Sequence, residues 1–247
     1  LLHGLFSSAA NWRSIARALA DDHEVHALDL RNHGASPWAD TMGYEAMAGD
    51  VAGYVEAKGL HGAAVMGHSM GGKVAMALAL TRPELVGTLV VADIAPRRYD
   101  DTLSPFARAM QGVDLAAAGS RMDVQRQLQA LLPDPAVAAF LVQNLVSREA
   151  HFDWRANLHA SLDGKLCTGT VALAPHALRA RRHDRPVQVI AGALSPYVQD
   201  ADGTEFHPMF PQARVAFIDG AGHWVHADQP AAFVALLRQA LQEAPGR

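Results

Sequence analysis

The chain has 247 residues, half of them apolar and 19% charged, with a formal net charge of −4 and a single cysteine. This composition excludes a disordered or fibrous chain, and the small negative charge supplies no field that would gather a polyanion, so no nucleic-acid partner is expected. A lone Cys167 excludes an intrachain disulfide framework and a cysteine-based zinc site. No apolar run reaches the ~18 residues of a membrane span; the longest, Leu85 to Ala95, is interrupted by Gly87, Thr88 and Asp93. A soluble, cytoplasmic protein is expected, either one large α/β domain or one such domain with an insert. Composition leaves its oligomeric state open.

The chain opens on Leu1-Leu2-His3-Gly4, which reads as the tail of a strand entering a loop, so residues are expected upstream, together with any targeting signal. Apolar spacing of three and four predicts helices over Asn11 to Leu19, Tyr44 to Lys58 and Met70 to Thr81, the last stopped by Pro83. Short apolar runs predict strands over Val25 to Leu30, Ala63 to Met66 and Leu85 to Ala92. From Pro96 to Pro186 no convincing buried strand occurs. Leu128 to Leu132 and Val137 to Val146 look amphipathic on either side of Pro133-Asp134-Pro135, and Phe152 to Arg155 has no clear assignment. The stretch therefore predicts a helical insert, either a plain packing domain or a lid over a site. The lid is favoured because the insert leaves and rejoins the sheet at strand ends, where α/β proteins hold ligands. Strands follow over Val187 to Ala191 and Val215 to Ile218, then a helix over Pro230 to Leu241. The alternation predicts an α/β fold, a mostly parallel sheet flanked by helices, with a core of residues 1–95 and 186–247 and a cap of residues 96–185.

Gly67-His68-Ser69-Met70-Gly71 lies between a short strand and a helix. A serine on so tight a strand-to-helix turn is pushed out above the sheet edge, and Cβ atoms two residues either side of it would collide with the strand or helix. Ser69 is therefore the candidate nucleophile. A serine hydroxyl is a weak nucleophile at neutral pH and needs a base, and the base needs an acceptor that orients it. His223, in Gly220-Ala221-Gly222-His223-Trp224 after the last strand, is the candidate base; His226 is its rival.

In many enzymes of this architecture the acid stands in a Gly-x-x-Asp pattern after the penultimate strand. Here that place reads Gly192-Ala193-Leu194-Ser195-Pro196, with Asp200 and Asp202 several residues late. Asp93, at the end of Val90-Val91-Ala92, is the candidate acid, since a carboxylate ending an apolar strand needs a partner and an imidazole N–H supplies one. Its alternative role is a helix cap opening the insert. Two backbone N–H groups are expected to hold the developing oxyanion, those of Met70, just after the nucleophile, and Leu5, just after the flexible Gly4. His3 is read as a brace of that loop. No cofactor and no metal are expected.

These residues resemble the α/β-hydrolase superfamily over the whole chain. The His-Gly pair at 3–4, the Asp-x-Arg-x-x-Gly-x-Ser loop at 29–36, the elbow at 67–71 and Gly-x-Gly-His at 220–223 stand in family order. The run ending at Lys73, Asp93-Ile94-Ala95-Pro96, Ser195-Pro196-Tyr197-Val198 and Gly222 to Asp228 more narrowly resemble YbfF-type bacterial esterases, which are similar to the mitochondrial α/β-hydrolase domain-containing protein 11. The resemblance implies a carboxylic ester hydrolase acting on short to medium acyl esters, with acyl-CoA thioesters as a further class, the acid after the sixth strand, and a small-molecule ester as substrate. It also implies that the family's first two strands are absent from this chain. Arg97 and Arg98, just past Asp93, are candidates to hold the phosphates of a CoA leaving group. A carbon–carbon bond hydrolase on the same residues, and a ligand-binding module without turnover, are the competing readings.

Overall fold

The structure is a computed structural model that describes residues 1–100, 103–149, 151–163, 180–199 and 203–243, without the side chains of 162 and 163. By internal packing these residues form two compact units, one of residues 1–30, 44–97 and 180–243, the other of 31–43 and 98–163. Residues 31–43, read from the sequence as core, thus group with the second unit.

The first unit is built on a parallel sheet of four strands, β1 (Ala63–His68), β2 (Val86–Ala92), β5 (Val187–Gly192) and β6 (Ala213–Ile218), adjacent in that order. Every residue of β2 is buried, as a central parallel strand covered on both faces must be. Along β1, β2, β5 and β6, Met66, Val90, Ala92, Ile190 and Ile218 share one face and pack with Trp12, Ile15 and Leu19 and with Phe233, Leu237 and Ala240, from the helices Arg13–Leu19 and Pro230–Gln242. The opposite face carries the helix Met70–Thr81, where Gly72 lies against Val91 and Ile94. That helix is buried from Met70 to Leu80, because the helix Tyr44–Ala57 packs on its far side.

The expected strand over Val25 to Leu30 is reduced to one parallel bridge between Leu28 and Leu2, and Leu2 bridges in turn to Gly67. A single bridge does not make a ladder, so neither segment is a strand. The first predicted helix begins as a 3-10 turn over Ala9–Trp12.

In the second unit the all-helical expectation is corrected. Helices Ser104–Gln111, Arg121–Leu131 and Pro135–Leu141 are present, but the helix expected to run on to Val146 ends at Leu141, passes through a 3-10 turn, Val142–Asn144, and becomes a strand. β3 (Leu145–Arg148) and β4 (His151–Trp154) form an antiparallel pair that absorbs the unassigned 152–154 segment. The Trp154 indole N–H donates to the Met110 carbonyl at 2.9 Å, which anchors this pair to a helix of the same unit. A short helix, Leu158–Asp163, follows. Among the described residues no helix is long and apolar enough to cross a membrane.

Candidate active site

β1, β2, β5 and β6 all point their carboxyl ends to one edge of the sheet; Ser69 and Asp93 follow β1 and β2 directly, and His223 lies in the loop that leaves β6. Ser69 comes next after β1 and has φ 53° and ψ −117°, a left-handed conformation that costs a serine about 1–3 kcal/mol. Two hydrogen bonds hold it there: Ser69 N–H donates to the Ala92 carbonyl at 3.0 Å, and Lys73 N–H to the Ser69 carbonyl at 3.1 Å. A Cβ on Gly67 would lie 2.1 Å from the Gly71 carbonyl oxygen, and one on Gly71 would lie 2.5 Å from that of Leu2. Both collisions are with backbone, so glycine is required at 67 and 71.

The structure brings the other two candidates to Ser69. His223 Nε2 is 3.1 Å from Ser69 Oγ, and His223 Nδ1 is 2.7 Å from Asp93 Oδ2. An ionised carboxylate only accepts, so Nδ1 carries the proton and Nε2 is left bare toward the serine hydroxyl. Asp93, itself at φ 50°, is fully buried. It accepts two further hydrogen bonds, from the Gly192 N–H at 3.0 Å and from the Ser195 hydroxyl. Three donors satisfy a charge that would otherwise be costly to bury.

Ser195 was missed from the sequence as a functional residue. It occupies the place where the carboxylate was sought, and a hydroxyl within reach of that vacancy was the available signal. The Tyr197 ring, also missed, stacks on His223 at 4.1 Å between centroids and 30° between planes. His226, the rival base, packs instead against Trp12 at 4.6 Å and His68 at 5.0 Å. Asp200 and Asp202 lie outside the described residues, as does Cys167.

The loop before the oxyanion candidate Leu5 is braced as expected. Leu30 N–H donates to His3 Nε2 at 3.0 Å, so His3 Nδ1 carries the proton and donates to the Gly4 carbonyl at 2.8 Å. Burial pushes the His3 pKa down to about 4. Ser7 N–H closes a turn onto the Gly4 carbonyl at 3.2 Å, with Phe6 at φ 56°. The turn is near the nucleophile, since a Cβ on Gly4 would lie 3.5 Å from that of Ser69.

One turn beyond Met70 on the same helix, Lys73 is buried, and its ammonium donates to the Arg97 carbonyl at 3.0 Å. Desolvation, with the nearby Arg97 charge, lowers its pKa to about 8. The Arg97 guanidinium faces Glu205 at 3.2 Å and donates to the Pro196 carbonyl at 3.5 Å, so it is engaged by its own unit. Among the described residues no cluster of three or more histidine, cysteine, aspartate or glutamate side chains is arranged to hold a metal.

A strand–serine–helix elbow with an aspartate after the neighbouring strand and a late histidine after the last strand of the same sheet defines a class, and the family profile described as alpha/beta hydrolase fold matches residues 1–230. The chain belongs to that family. It is 36% identical over 244 residues to the sn-1-specific diacylglycerol lipase ABHD11 of Mus musculus, an alignment that covers 94% of this chain and 77% of that one. To the esterase YbfF of Escherichia coli strain K12 it is 35% identical over 251 residues, covering 98% and 92%. Among solved structures, a marine microorganism esterase superposes with a TM-score of 0.90 at 34% identity, covering 96% of this chain and 92% of that one. The chain is accordingly a serine hydrolase of the esterase and lipase type.

Proposed function

We propose that the protein hydrolyses carboxylic esters of short to medium acyl chain through a covalent acyl-enzyme on Ser69. The observation that carries this reading is the unbroken hydrogen-bond relay from Ser69 Oγ through His223 to Asp93. As the hydroxyl attacks the ester carbonyl carbon, its proton passes to His223 Nε2, and the buried Asp93 carboxylate stabilises the imidazolium. The carbonyl electron pair moves to oxygen, which the N–H groups of Met70 and Leu5 hold. Met70 is the first residue of its helix, so its N–H has no intrahelical acceptor. Collapse of the tetrahedral intermediate expels the alcohol, which takes the proton from His223. Water then repeats the sequence to release the acid and regenerate Ser69.

Glycerolipid esters enter as a substrate class through the name of the murine relative. Acyl-CoA thioesters remain within reach of the same chemistry, although the engagement of Arg97 removes one of the two arginines read as phosphate anchors. The carbon–carbon hydrolase and non-catalytic binder readings have no separate support in the geometry.

The test is hydrolysis of p-nitrophenyl esters of graded chain length, then of a diacylglycerol and an acyl-CoA, with Ser69→Ala and His223→Ala as controls. Both variants are expected to fold and to lose at least about three orders of magnitude in kcat/KM. Activity above a tenth of the wild type in Ser69→Ala rejects the nucleophile. A stoichiometric burst of p-nitrophenol with acylated Ser69 separates an enzyme from a binder.

A further inference from the structure

We propose that His68 is a positioning residue that ties the base to the nucleophile: its imidazole N–H links the strand that delivers Ser69 to the backbone of residue 223. The inference rests on the triad reading above and deepens it.

His68 is the last residue of β1, immediately before Ser69, and is 4% exposed. Its Nε2 lies 2.8 Å from the His223 carbonyl oxygen, across 155 residues of chain. A carbonyl only accepts, so Nε2 carries the proton and the donor is His68. Burial, with the neighbouring His223 and His226 imidazoles, holds its pKa well below the usual imidazole range, so the ring is neutral and the tautomer is fixed by the bond it makes. The His68 ring also packs 4.7 Å from the His223 ring, and thereby backs the base while gripping its main chain.

The need for such a grip lies in the loop that carries His223. The residue follows Gly220, at φ 71°, and Gly222, and this glycine-rich stretch has little conformational preference of its own. Hydrogen bonds at both ring nitrogens fix where the imidazole points, and the peptide before it is held by Leu194 N–H on the Ala221 carbonyl at 2.9 Å and by Gly222 N–H on Asp228 Oδ2 at 2.8 Å, but none of these bonds engages the His223 carbonyl. The His68 bond does, and refers the position of His223 to the same strand that positions Ser69. The nucleophile and the base then move together, and the 3.1 Å contact between them is kept.

The test compares His68→Gln, which offers an amide N–H near the position of Nε2, with His68→Leu, which has no donor, and His68→Asn, whose donor is too short to reach. Readouts are kcat and KM on p-nitrophenyl butyrate, melting temperature, and the low-field proton resonance of the His223–Asp93 hydrogen bond. His68→Leu is expected to lose about 10–100-fold in kcat with KM within about twofold, since small misplacements of a reacting group cost that much. Its low-field resonance is expected to shift or broaden. His68→Gln is expected to recover kcat to within about fivefold of the wild type. A His68→Leu protein with wild-type kcat, or a folded His68→Gln protein no faster than His68→Leu, overturns the inference. If His68→Leu does not fold, the Gln and Asn variants decide: the inference requires Gln to be at least about tenfold faster, and equal rates reject it. Ser69→Ala, assayed alongside, separates the two levels of the argument. Hydrolysis that survives in that variant removes the triad reading, whereas a dead Ser69→Ala beside a fully active His68→Leu removes the positioning role alone.

Discussion

The elbow after β1 and the acid–base pocket at the ends of β2, β5 and β6 share one edge of a sheet but are held by different forces. At the elbow, backbone meets backbone: Gly67 against Gly71, Gly71 against Leu2, and Ser69 N–H on the Ala92 carbonyl. In the pocket, side chains meet through hydrogen bonds, with Asp93 drawing on His223, Ser195 and the Gly192 N–H. The elbow depends on the absence of atoms, and the pocket on the presence of donors. Damage to the first is therefore expected to appear as lost structure, and damage to the second as lost rate in a folded protein.

The strongest break falls on the elbow. In Gly67→Ala the new methyl would meet a backbone oxygen at 2.1 Å, with no side chain to move aside. No ester hydrolysis is expected, with a fall in melting temperature of at least about 10 °C or failure to fold, as for other substitutions that force backbone apart. Wild-type activity and melting temperature in this variant would show that the turn can relax, and the contrast would collapse.

The pocket is tested by Asp93→Asn, which keeps shape and removes charge. Hydrolysis is expected to drop by about 10²–10⁴-fold with the fold intact, because the imidazolium loses its counter-charge and the wrong histidine tautomer is favoured. Asp200→Asn is expected to be nearly silent, as His223 Nδ1 already has its acceptor. The reverse result transfers the acid role. In the same series Ser195→Ala removes one of three donors and is expected to cost about tenfold in kcat, in keeping with ~1.5 kcal/mol for a hydrogen bond to a charged group.

The smallest effect concerns pH and stability. Burial of His3 and partial burial of His226 push their pKa values down to about 4. His3 cannot accept a second proton without facing the Leu30 N–H, and His226 Nδ1 is buried without a partner. An unfolded chain takes up these protons near 6.5 while the folded one does not. Stability from this source is thus constant above pH 6.5, falls as the pH drops from 6.5 to about 4, and levels below that. Thermal melts across that range should show the decline, and His226→Gln should flatten it; an unchanged slope in that variant removes His226 from the account.

The same contrast explains what could be read before the structure. Ser69 with its flanking glycines was legible because steric exclusion leaves a mark in sequence, and the helix Met70–Thr81 emerged with its expected bounds because Pro83 ends it. Strand β2 was legible as a short apolar run broken only by Gly87 and Thr88, and Asp93 as the charge that ends it. Ser195 was not legible, since a serine carries no sign of which carboxylate it serves until the fold brings residues 93 and 195 together. Pairing β3 with β4 was hidden for another reason. Among its eight residues only Leu145 and Trp154 are buried, so the alternation that marks a strand is faint, and the apolar run before it fits helical spacing as well. The segment before Leu30 misled in the opposite direction, because apolar residues at 25, 27, 28 and 30 fit a short strand while its pairing is confined to Leu28 and Leu2.

The placement of one functional group at each of four neighbouring strand ends has a consequence in time. The bonds that join them span 154, 130 and 102 residues of sequence, and none can form from a local fragment. Such long-range closures come late in folding, because the entropy of closing the loops is lost before the contacts repay it. Catalytic competence is therefore the last property the chain acquires. During refolding, acylation of Ser69 should lag behind the return of helical signal, and the fraction of molecules that can be acylated should count those in which the entire sheet has been assembled.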